Sequence, residues 1–205
     1  MDNYFEQGIL LLEEGNYDEA IASLTKAVRL SLGNLGEILL FRGIAYRLKG
    51  DLLRALADYD ASLEQDAYSA EVYCERGKLF LSQEKFKEAL QDFNFALTID
   101  ETLVEARLQR ALTHEEMGLY TETDYDLSLI IQQNPSLSQP YEVRGRVRAE
   151  QARFAEAIAD LERYLRMGGG REHDNHSETQ SFIITLRLKQ WSARILGGFK
   201  RKRDG

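Results

Sequence analysis

Through residue 171 apolar side chains recur three and four positions apart, in stretches of about 14 residues broken by short polar runs. "YFEQGILLLEEGNYDEAIASLTKAVRL", from Tyr4 to Leu30, shows the unit: one helical stretch, a break at Gly15, and a second helical stretch. The spacing predicts two antiparallel helices packed face to face. Alternation at strand period is scarce, prolines number only two, and Ala, Leu, Glu and Arg abound, so the chain reads as all-α. "EEGNYDEA" and "LKGDLLRA" predict the turn between paired helices. Gly15 and Gly50 end a first helix in the left-handed conformation, and Asn16 and Asp51 cap the helix that follows.

The unit repeats. Arg42, Arg76, Arg110 and Arg144 follow one another at 34 residues, each before a small residue in the column Gly43, Gly77, Ala111 and Gly145, which Gly8 leads. A second small column holds Ala20, Ala55, Ala89, Thr123 and Ala157. Large residues fill two more: Tyr17, Leu52, Phe86, Tyr120 and Phe154, and Leu24, Tyr59, Phe93, Leu127 and Leu161. Small residues suit close approach of two helix backbones, and large ones fill the space beside it.

The arginines fall on a face that should be buried, where an uncompensated charge costs several kcal/mol. Every unit with the arginine carries an aspartate 16 residues later, and the first unit has neither, holding Gln7 and Ser23 instead. This predicts four structural pairs, Arg42–Asp58, Arg76–Asp92, Arg110–Asp126 and Arg144–Asp160, each joining the two helices of one unit.

These columns at this period resemble the tetratricopeptide repeat (TPR) family, and the Arg–Gly and Asp spacing resembles its bacterial members more than eukaryotic co-chaperones. Five units are expected, at 1–35, 36–69, 70–103, 104–137 and 138–171. The fourth departs most, with Ala111, His114 and Thr123 in place of Gly, an aromatic and Ala. The resemblance implies an all-α, right-handed superhelical solenoid of helix-turn-helix units, whose first helices line a concave groove. Carried over residue by residue, the groove positions are Phe5, Ile9 and Leu12; Leu40, Ile44, Arg47 and Leu48; and Cys74, Lys78 and Leu81. Further along stand Leu108, Leu112, Glu115 and Glu116, then Glu142, Arg146 and Glu150. The lining is apolar toward the N-terminus and mixed toward the C-terminus. One subset of the family clamps chaperone C-terminal carboxylates with Lys, Asn and Arg. Phe5, Ile9, Phe41, Glu71 and Glu75 stand at those places, so the clamp is not expected here.

After a linker at 172–176, "SETQSFIITLRLKQWSARIL" predicts a capping helix over 177–197. Ser177 with Gln180 has capping-box spacing. Ile184, Leu188, Trp191 and Ile195 form a stripe suited to covering the last repeat, leaving Phe182, Ile183 and Leu186 as surplus apolar surface. Residues 198–205, "GFKRKRDG", read as a basic disordered tail. The surplus and the tail leave open a partner protein, a second copy of the chain, a membrane surface or nucleic acid.

The net charge of −8 conceals a gradient: residues 1–137 carry 25 acidic and 12 basic side chains, residues 138–205 nine and 14. A continuous basic face for nucleic acid is thereby excluded for the chain as a whole. Catalytic constellations are not found, and neither a cofactor nor a metal is expected. "EHDNH" (Glu172 to His176) reads as an incidental polar loop. The lone Cys74 excludes an internal disulfide and suits a reducing compartment. "MDNYFEQG" lacks signal-peptide character, so a cytoplasmic location is expected.

The expected function is non-catalytic: an adaptor, assembly factor or complex subunit holding a peptide or helix with apolar anchors and some basic residues in the groove. The alternative is a structural subunit that oligomerises or attaches to a membrane surface through the C-terminal helix and tail.

Overall fold

The computed structural model describes residues 3–172 and 174–203, all helix and turn. In chain order the helices are α1 (Tyr4–Glu13), α2 (Tyr17–Arg29), α3 (Leu35–Lys49), α4 (Leu52–Gln65), α5 (Ala70–Ser82) and α6 (Phe86–Ile99). There follow α7 (Val104–Glu116), α8 (Tyr120–Gln133), α9 (Gln139–Glu150), α10 (Phe154–Arg166), the single turn α11 (Gly169–Glu172) and α12 (His176–Arg203). Among the described residues no helix is long and apolar enough to cross a membrane. Two compact units divide the chain, Met1–Gln109 and Arg110–Gly205, and the division falls inside α7.

In the first unit α1 packs on α2, α3 on α4 and α5 on α6, and α2 and α4 pack on the hairpins that follow them. The bulky column fills the interior of each hairpin: Leu24, Tyr59 and Phe93 are fully buried. Opposite them the glycine column is obligatory. A Cβ on Gly43 would lie 2.6 Å from the Tyr59 ring, and one on Gly77 2.6 Å from the Phe93 ring. Neighbouring hairpins share Val72 and Leu79 with Tyr59, and Ala106 with Phe93.

The second unit holds the C-terminal part of α7 and helices α8 to α12. Gly145 admits Leu161 as Gly43 admits Tyr59. In the irregular α7–α8 pair, Thr123 is buried, and the hydroxyl that alanine lacks is satisfied by the Leu119 carbonyl at 3.0 Å and the Ala111 carbonyl at 3.3 Å.

Each hairpin turn places one residue in the left-handed region: Gly15, Gly50 and Gly118, but also Glu84 and Ala152. Asp51 caps α4 through the Arg54 amide at 3.2 Å. Asn16, expected to do the same for α2, makes no cap; its amide donates to Glu14 instead, at 3.0 Å.

The repeated arginines and aspartates meet as forks. Nε and Nη2 of Arg42 donate to the two oxygens of Asp58 at 2.8 and 2.7 Å. Arg76 holds Asp92 at 2.8 and 2.8 Å, Arg110 holds Asp126 at 2.8 and 2.6 Å, and Arg144 holds Asp160 at 2.8 and 2.7 Å. All four aspartates are buried. Parallel N–H···O bonds of this kind are the strong form of the pair. The hydrogen bond to Asp58 does most to raise the Arg42 guanidinium above its ordinary pKa.

A further donor does something the spacing does not announce. Nη1 of Arg42 reaches back to Thr25 Oγ1 at 3.4 Å, that of Arg76 to Asp60 at 2.7 Å, and that of Arg144 to Ser128 at 3.0 Å. One guanidinium thus ties its own hairpin together and fastens it to the second helix of the hairpin before.

The C-terminal helix departs from expectation in three ways. It starts at His176, so Ser177 lies within it and no Ser177–Gln180 box forms; the Gln180 amide approaches His176 Nε2 at 2.9 Å. It continues to Arg203, through six of the residues expected to form a loose tail; Asp204 and Gly205 lie outside the described residues. And it packs with the other face. Thr179, Ile183 and Leu186 are buried, the last two against Ile158 and Leu161 of α10, while Ile184, Leu188 and Trp191 point outward. Both sets have helical spacing, and the choice between them is made by which fits α10.

Candidate partner-binding groove

α3 and α5 carry their inner faces side by side because their small columns set each against its own second helix. Between them, closed at one end by the segment entering α7, lies a cavity of about 320 Å³. Leu40, Phe41, Ile44, Cys74 and Leu103 form its apolar walls, and Glu71, Glu75 and Glu105 its polar edge. Leu40 and Cys74 are buried, and Phe41 and Ile44 are partly exposed.

Beside the cavity runs a charged chain. Arg47 Nη2 donates to Glu75 Oε2 at 2.9 Å, Lys78 Nζ to Glu75 Oε1 at 2.8 Å, and Lys78 also meets Glu105 at 2.9 Å. Burial, the largest single influence on the Glu105 carboxyl, raises its pKa. The combined pull of Lys78, Gln109 and Arg47 outweighs that and leaves it below the ordinary value. Glu71 stands exposed at the rim. Burial pushes the Cys74 thiol up to about 12, with Glu75 and Glu105 adding to the rise, so it is a wall and not a nucleophile.

Of the expected groove residues, the structure brings Leu40, Ile44 and Cys74 into the cavity wall and Arg47 and Lys78 beside it. Phe5 is held elsewhere: it packs edge-on against Phe41 at 5.7 Å, as part of the cluster around Leu24 and Ile38. Ile9 and Leu12 are half-buried on α1, and Leu48 is exposed at the end of α3. Leu81 packs with Phe93, and Leu108 is half-buried on α7 away from the cavity lining. In the second unit Leu112 is half-buried, and Arg146 bridges Glu115 at 3.2 Å and Glu142 at 3.5 Å. Burial raises the Glu115 carboxyl, against the pull of Arg146. Leu103 and Glu105 were not among the expected lining. Leu103 sits in the connection before α7, where no helical period assigns it a face.

Among the described residues no group of His, Cys, Asp and Glu is placed to hold a metal, and His173 of the "EHDNH" stretch lies outside them.

Two family models described as tetratricopeptide repeat match residues 5–70 and 70–103. The mouse protein "Tetratricopeptide repeat protein 14" is 30% identical over 117 residues, which is 54% of this chain and 15% of that protein's length. Two solved structures share the fold. "Crystal structure of MamA" superposes with a TM-score of 0.70 at 20% identity, covering 84% of this chain and 98% of that one. "Crystal structure of YrrB: a TPR protein with an unusual peptide-binding site" gives 0.67 at 18% identity, covering 87% of this chain and 90% of that one.

Proposed function

We propose that this chain, a tetratricopeptide repeat protein, is a non-catalytic scaffold for protein–protein interaction that holds a segment of another protein across the inner faces of α3 and α5. The observation that carries the reading is the cavity lined by Leu40, Phe41, Ile44, Cys74 and Leu103: apolar walls left over after the hairpin interiors are filled, with carboxylates at one edge. Pockets of about 300 Å³ and above are the size at which proteins hold a ligand group. The apolar walls suit one large aliphatic or aromatic side chain. The exposed Glu71 suits a lysine or arginine near that anchor in the ligand sequence, on an amphipathic helix or an extended strand. The exposed Glu71 repels the acidic tails that carboxylate-clamp members of the family bind. The chain acts as an adaptor, an assembly factor or a fixed subunit. A buried free thiol suits a reducing, cytoplasmic setting.

The test compares proteins captured from the native host by the wild type and by the Ile9→Asp/Ile44→Asp variant, with circular dichroism melting to check that the variant folds. A protein lost with the variant alone is the groove ligand, and its bound segment should carry an apolar anchor flanked by a base. Recovery of one and the same set by both forms overturns the reading.

A further inference from the structure

α12 carries a second apolar face that the fold does not use. Ile184, Leu188 and Trp191 are 58%, 63% and 64% exposed, at helical spacing, on the side opposite the buried Thr179, Ile183 and Leu186. Isolated exposed apolar residues need no explanation, but a contiguous stripe of three large ones does. The charge of the same helix is of one sign over most of its sequence. Between Ser181 and Arg203 it has seven basic residues (Arg187, Lys189, Arg194, Lys200, Arg201, Lys202 and Arg203) and no acidic one. Among the described residues, α12 has Glu178 in its first turn, and Glu162 of α10 is occupied by Arg187 at 2.6 Å.

We propose that this face docks α12 onto a bilayer surface rich in anionic lipid, with the helix axis in the headgroup plane. Arg187 and Lys189 flank Leu188 on either side, so the stripe enters the acyl boundary while the cations stay at headgroup level. Trp191 belongs at that depth by its amphipathic ring. Two rival occupants fit less well. A second copy would bring together two helices that carry only basic charge from Arg187 to Arg203. Nucleic acid would engage the cations but leave Ile184, Leu188 and Trp191 in water. Docking needs nothing from the groove, and the inference stands independently of the reading given for it.

Trp191 is the only tryptophan in the chain, so its emission reports this helix alone. The full chain is titrated with phosphatidylcholine vesicles with and without phosphatidylglycerol, and co-sedimentation is read alongside. Anionic vesicles should shift the emission to shorter wavelength and carry the protein down, neutral ones should do neither, and added salt should reverse the effect. Lys189→Gln should weaken binding about fivefold, the effect of one basic residue at such a surface. Leu188→Glu should weaken it by more than about tenfold with unchanged thermal melting, and Ile44→Asp should bind as wild type. No shift and no sedimentation at low salt overturns the proposal, as does undiminished binding by Leu188→Glu. A blue shift produced only by duplex nucleic acid, or by concentrating the protein without lipid, overturns it in favour of the rival occupant.

Discussion

At Glu84 and Ala152 a side chain occupies a turn that other hairpins give to glycine, with φ of +57° at both against +78°, +90° and +72° at Gly15, Gly50 and Gly118. An L-residue in this region costs about 1–2 kcal/mol, and glycine gives back roughly 0.5–1 kcal/mol through its looser unfolded chain. Glu84→Gly and Ala152→Gly should therefore each raise stability by up to about 1 kcal/mol, read from urea midpoints. A loss at both positions would show that the turns are not strained. His114 offers a second test. Burial holds its imidazole below the ordinary pKa, Arg110 pushes the same way, and Asp126 opposes. The unfolded chain then binds more protons than the folded one just below pH about 6.5, so stability falls as pH drops through that value. His114→Phe, matching Tyr46 and Phe80 in the same column, should flatten the dependence between about pH 5 and 7. Equal slopes in the two proteins would refute it.

Between helices, the arginine forks set how hairpins hold together and how they stack. Asp92→Ala should cost about 3–5 kcal/mol, because it strands a guanidinium among buried neighbours. Asp60→Ala should cost less than about 1 kcal/mol, since that partner is 51% exposed. A double-mutant cycle on Arg76 and Asp92 with no coupling would sink the first figure. The within-hairpin half of this arrangement is visible in the sequence, because arginine and aspartate are present or absent together at one offset. The backward contact is not, because Thr25, Asp60 and Ser128 share only an acceptor oxygen, and no residue-type pattern marks them. α12 shows the same limit. Two stripes of equal period lie on it, and only the shape of α10 decides between them. Ile183→Asp should accordingly unfold the second unit's core at lower temperature, by about 3 kcal/mol or more, while Leu188→Asp stays within about 0.5 kcal/mol of wild type. Equal melting temperatures would reverse the assignment.

For the molecule as a whole, the all-α repeat class could be read from the 34-residue period because one packing solution is written several times, each copy correcting for substitutions in the others. The division into two units could not, since the period runs through α7 unbroken; it falls at the repeat whose columns depart furthest, at Ala111, His114 and Thr123. Of the cavity, Leu40, Ile44 and Cys74 followed from position on the inner helices, whereas Leu103 belongs to a connection and could only be found in three dimensions. Acidic residues prevail through residue 137 and basic ones beyond it, so a partner met by the groove and a surface met by α12 would have opposite charge preferences.

Cys74 has a use beyond forming a wall. It is the chain's sole thiol, only 3% exposed, enclosed by Phe93, Ala96 and Ala106 and held protonated at neutral pH. At 3% exposure it offers an alkylating reagent little surface until the third hairpin lifts away from its neighbours. Under conditions where reclosing outruns the chemistry, the labelling rate reports the equilibrium fraction of open molecules, and a ligand seated against α5 would lower that rate as its occupancy rises. The molecule thus carries its own gauge of local stability at the proposed binding site, readable by mass without an added probe.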